Sequence, residues 1–203
     1  MDLNERILLA EKLRDQSLAD LLIARANLGQ KGFRLGGVAI NRNHLVISKC
    51  QQSAEKLLKS YFVRHGESVN PFRGHTPLQD VLSGTGGQTP RLNKFRDTVR
   101  QEPSGLLKQL TWLEDLAPTG APNVSADLAM LNFSDLAENT EYPFFCKSRG
   151  EIVFPAEHFE YWQSAGAVRA AYFLCKFIAR SDDSTFGTAV ERFVDDHPLD
   201  RAL

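Results

Sequence analysis

Apolar residues recur every three to four positions along most of this chain, the period of a helix buried on one side. Residues 3–28 place Ile7, Ala10, Leu13, Leu18, Leu21, Leu22 and Leu28 along one broad stripe. Asp2 and Glu5 precede it at the spacing of a capping box. The glycines of "GQKGFRLGG", residues 29–37, end that helix. A second helix over 44–65 is expected to bury Ile47, Cys50, Ala54, Leu57, Leu58, Tyr61 and Phe62. Its other face carries Lys49, Gln52, Glu55, Lys56 and Lys59, and a charged face is ordinarily turned to water. Glu55 and Lys59 stand in the favourable order for a pair one turn apart.

"GTGGQTP", residues 84–90, is a connection. The next helical region, 91–116, must break or kink after Glu102, because Pro103 lacks an amide N–H and its ring collides with the preceding turn. Leu106, Leu110, Leu113 and Leu116 give its second half a clean stripe. "APTGAPNVS", residues 117–125, is a loop, and "ADLAMLNFSDLAEN" after it can form a short helix. Pro155 suits the first turn of a long helix reaching Arg180. Phe159, Trp162, Gly166, Phe173 and Phe177 line one face of it, and Ala167, Ala170, Ala171, Leu174 and Ile178 the next, which predicts a central helix with a core aromatic run. A last helix, 185–196, aligns Phe186, Val190 and Phe193. Strand character is confined to "EIVF", 151–154. The pattern predicts an all-α fold: an up-and-down bundle of about five helices, one domain over 1–203 with additions at 29–43 and 117–138.

Composition narrows the function classes. The chain has 203 residues, enough for one well-cored domain, and 24 Lys+Arg against 25 Asp+Glu. A nucleic-acid binder of this charge balance needs a local basic patch. Cys50, Cys146 and Cys175 are far apart and in no zinc-ligand spacing, which points to a reducing compartment. The charged N-terminus and the lack of a long apolar run predict a cytoplasmic protein without a membrane partner. "SGTGGQTP" lacks the Gly-Lys-Ser/Thr ending of a P-loop, and neither Gly-x-Ser-x-Gly nor His-Glu-x-x-His occurs. No cofactor and no metal are expected.

The stretch "CQQSAEKLLKSYFVRHGESVNPFRGHTPLQDVL", residues 50–82, carries a resemblance. It resembles the signature of HEPN domains, small α-helical nucleotide-binding bundles with a Gln-Gln-x-x-Glu-Lys helix followed by Gly-His-x-Leu-x-x-Leu. Gly74, His75, Leu78 and Leu82 stand at the second element, with Pro77 altering its spacing. "SLADLLIARANL" is similar to the family's opening Asp-Leu-x-x-Ala, and "EYPF" to its Tyr-Pro element. The likeness touches four places over about two-thirds of the chain. It implies a nucleotide- or RNA-binding module, commonly a homodimer and commonly paired with a minimal nucleotidyltransferase in a toxin–antitoxin or defence setting. It also implies an alternative, a metal-independent endoribonuclease toxin. A non-catalytic protein-interaction module is the third reading.

Candidate residues follow. The family's nuclease motif is Arg, a polar residue, then His four to six positions after the Arg. "RFVDDH" alone meets that spacing, with Arg192 to stabilise phosphorane charge and His197 as acid–base. Chance gives about one such match in a chain of this composition. Phe193 also stands where a polar residue is expected, and Pro198 ends the helix. Arg64 and His65, with Arg73 and His75, could grip phosphate in a loop, although cations are favoured at a helix C-terminus in any case. Gln52 and Lys56 border the expected ligand groove, and Tyr142 and Arg149 could add a stacking ring and a phosphate contact.

Overall fold

The computed structural model describes residues 2–66, 90–116, 140, 144–146 and 148–199. Among these the elements are α1 (Leu3–Asn27), β1 (Phe33–Leu35), β2 (Val38–Ile40), α2 (Asn43–Arg64), α3 (Pro90–Gln101), α4 (Leu106–Leu116), β3 (Phe144–Cys146), β4 (Glu151–Val153), α5 (Pro155–His158), α6 (Tyr161–Ser181) and α7 (Thr185–Asp196). The chain is mainly helical, as its periodicity requires. The described residues hold seven helices where about five were expected, together with two antiparallel two-stranded sheets.

Local signals set most boundaries. Asp2 Oδ1 accepts from the Glu5 amide at 2.8 Å, and Glu5 Oε2 from the Asp2 amide at 2.8 Å, closing the capping box of α1. Pro103 separates α3 from α4. Ser184 Oγ accepts from the Phe186 amide at 3.2 Å and starts α7.

The helix expected from Pro155 to Arg180 is instead two helices. Asn41 and Asn43 side-chain amides donate to the Phe159 carbonyl at 3.2 and 2.8 Å, and the Asn41 N–H donates to the Ala156 carbonyl at 2.9 Å. These bonds hold Phe159 extended at φ −81°, ψ 136°, so α5 stops and α6 begins two residues later. The aromatic run divides with it: Phe159 is buried, whereas Tyr161 and Trp162 are exposed.

Helix α2 is the centre. Its seven expected core residues are all buried, and α1 packs along it while α6 crosses behind. The opposite face is solvated only in part: Glu55 and Lys59 are buried, as is Gln51, while Lys49, Gln52 and Lys56 are partly exposed. Gln51 Nε2 donates to the Leu113 carbonyl of α4 at 2.9 Å, and Lys59 pairs with Glu55 one turn back. Neighbours cover α2 on more than one side, so its polar groups are satisfied by protein. Helix α6 supplies Ala167, Val168, Ala171, Leu174 and Ile178 to the same core. The Tyr172 hydroxyl donates to the Val194 carbonyl at 2.9 Å and ties α7 onto α6.

Candidate functional site

Small side chains bring α1 and α2 together. Ala10, Ser17 and Ala24 of α1 are buried, and Ser17 Oγ donates to the Ser53 carbonyl at 2.8 Å. Beside this contact stands Asp20, 1% exposed. An unpaired carboxylate there would be costly, and α2 supplies two ammonium groups to it. Lys49 Nζ lies 3.1 Å from Asp20 Oδ1, and Lys56 Nζ contacts Oδ2. Lys49 also donates to Gln52 Oε1 at 2.8 Å. Lys49, Gln52 and Lys56 are three and four residues apart and therefore share one face of α2.

One carboxylate against two ammonium groups leaves this triad one net positive charge. The lysine side chains remain 25% and 28% exposed, so the excess charge reaches solvent at the seam between the helices. An anion can approach there, and a phosphate oxygen would find charge-assisted donors. Gln52 and Lys56, two of the candidate residues, are thus brought together.

A second basic cluster lies at the C-terminal end of α2. His65 is the C-cap, its N–H donating to the Tyr61 carbonyl at 3.2 Å. Arg64 Nε and His65 Nε2 stand 3.8 and 3.4 Å from Asp182 Oδ2, while Asp182 Oδ1 accepts from the Ser184 amide at 2.9 Å. The guanidinium groups of Arg14 and Arg64 lie 5.4 and 5.6 Å from the ring centroid of buried Phe186. Arg64 and His65 therefore fasten α2 to the turn between α6 and α7. Eight residues separate Arg64 from Lys56, about 12 Å along the helix and about 80° around its axis, so the two clusters pack against different elements.

Arg149 is exposed on the turn between β3 and β4. Arg192 is exposed on α7, and His197 is its C-cap, with its ring 5.0 Å from that of Phe193. Arg25 donates to the carbonyls of His197 and Pro198, the latter at 2.8 Å. Five residues on a helix turn two side chains about 140° apart, so Arg192 and His197 do not share a helical face. Arg73, His75 and Tyr142 lie outside the described residues, as does the addition expected at 117–138.

Asp20 and Asp182 are the site residues that sequence reasoning left without a role. An acid set among Ser17, Leu21 and Ala24 on an otherwise buried face is a readable sign of a paired carboxylate. Nothing comparable marks Asp182. Among the described residues no group of three His, Cys, Asp or Glu could hold a metal ion, and no helix is long and apolar enough to cross a membrane. Burial raises the Cys50 and Cys175 thiols, Cys175 to about 12, which leaves neither as a nucleophile at neutral pH.

No family model, curated protein or solved structure matches the chain. The α1–α2 seam therefore rests on its own chemistry: ammonium and amide donors at a half-exposed face, backed by one buried carboxylate.

Proposed function

We propose that this chain is a HEPN-like nucleotide- or RNA-binding module, with the α1–α2 seam as its phosphate site. The observation that carries the reading is the Asp20 triad, where Lys49 and Lys56 converge on a single carboxylate. Asp20 orients both ammonium groups and neutralises only one. A bound phosphate would complete the charge balance, with Gln52 beside it as a further polar contact. In line with the resemblance, the module acts as a homodimer beside a partner such as a minimal nucleotidyltransferase, in a toxin–antitoxin or defence setting.

A titration of fluorescently labelled short RNA, read by anisotropy, tests the site. Lys49→Gln combined with Lys56→Gln is expected to weaken binding without sequence preference. The salt dependence should also fall, by about 0.7 in log–log slope for each phosphate of a single strand that the variant no longer neutralises. Wild-type affinity and slope in that variant would remove the seam as the site. Circular dichroism of the same samples checks that the fold persists.

A further inference from the structure

The first turn of α6 presents an aromatic ring where the core would be expected to claim it: Trp162 is 62% exposed. One turn on, Gly166 leaves room for Trp112 of α4. A Cβ at Gly166 would stand 2.5 Å from Trp112 Cη2, so only glycine lets that indole lie against α6 in this pose. The two indoles are 6.4 Å apart between centroids and tilted by 36°. Together with Lys108, Gln109 and Arg169 they line an open cavity of about 530 Å³. Trp162, Gly166 and Arg169 fall on one face of α6, and Lys108 and Trp112 one turn apart on α4. Lys108 and Arg169 are exposed and have no ion-pair partner among the described residues.

We infer that this α4–α6 groove is a second binding site, for a nucleobase together with its phosphate. A neutral sugar would make no use of the two cations, and an acyl chain would leave them idle. A planar heterocycle carrying a phosphate uses both features. The indoles are close enough to form a direct aromatic pair, so the base stacks on the outer face of Trp162 rather than between the rings. Lys108 and Arg169 meet the phosphate. The ligand's class rests on the nucleotide reading above, but none of the seam's residues takes part.

The chain has two tryptophans, both in this groove, so its indole emission reports on the groove alone. The full chain is titrated with adenosine monophosphate and with an oligoadenylate RNA of about eight nucleotides. Saturable quenching by at least one probe is expected. Trp162→Ala should weaken its binding, followed by anisotropy of a labelled probe, by about tenfold or more. Equal affinity for both probes assigns a free nucleotide, and binding of the RNA alone assigns a strand. Quenching that persists in the Lys49→Gln/Lys56→Gln variant keeps the groove even if the seam fails. The inference is overturned if neither probe quenches, or if Trp162→Ala binds as tightly as wild type.

Discussion

Asp20 organises the α1–α2 seam as a single residue. Asp20→Asn keeps the shape but leaves two ammonium groups facing each other without a carboxylate. Because both lysine heads can turn partly to water, the loss of stability should be about 1–3 kcal/mol rather than that of a fully buried pair. It would appear as a lower urea midpoint at constant slope, and an unchanged midpoint would contradict the pairing. His44 offers a test by pH. Burial lowers its pKa from the ordinary 6.5, partly opposed by a hydrogen bond to the Asn41 backbone. The fold thus favours the neutral ring, and its contribution is complete above pH 6.5. It is lost as pH falls through the lowered folded value, because the unfolded chain takes up the proton first. Melting temperature in wild type should therefore drop over that window, and His44→Gln should flatten that part of the curve. At this scale the sequence singled out Gln52 and Lys56 but not the acid that pairs with Lys56 and Lys49, since Asp20 lies 29 and 36 residues before Lys49 and Lys56. Spacing along one helix cannot reveal a pairing between two.

Helix ends governed by neighbouring residues were legible. The Asp2–Glu5 box, the break at Pro103 and the 185–196 helix all depend on side chains within a turn of the boundary. The break at Phe159 was not legible, because Asn41 and Asn43 impose it from 118 and 116 residues away. Of the strands, β4 was legible within 151–154, but three-residue strands are too short to alternate recognisably, and β1, β2 and β3 were missed. The turn from α6 to α7 makes its own prediction. A Cβ on Gly187 would meet the Asp182 carbonyl oxygen at 1.6 Å, so α7 can only leave the turn this closely with glycine there. Gly187→Ala should cost about 3 kcal/mol and loosen the carboxylate that holds Arg64 and His65. Gly150→Ala is a control for general sensitivity to such exchanges: it has φ +69° but nothing near its Cβ, and should lose less, through backbone strain alone. Equal melting temperatures for the two variants would contradict the tight turn.

The whole molecule buries all three of its thiols, Cys50, Cys146 and Cys175. None should react with an aromatic disulfide reagent at neutral pH until the chain unfolds, and all three should then titrate together. Rapid labelling of the native protein would mean that the core around α2 and α6 is not packed as described. The near balance of charge, 24 basic against 25 acidic residues, makes any polyanion binding depend on local arrangement. The helical class was legible because apolar periodicity records burial directly, but the central place of α2 was not: its charged face read as solvated, and the 155–180 helix was expected at the centre. The candidate site was legible only in part: Arg64, His65, Gln52 and Lys56 lie on two basic clusters of α2, whereas Arg149 lies on the β3–β4 turn and Arg192 and His197 lie on α7. On the proposed reading the seam binds without cleaving, since ammonium groups held by a carboxylate can grip phosphate. The direct measurement incubates the purified chain with labelled RNA in EDTA and reads complex formation and RNA length from the same sample. Saturable binding that leaves the RNA intact is the predicted result. Absence of binding, or cleavage that disappears in His197→Ala, would contradict it.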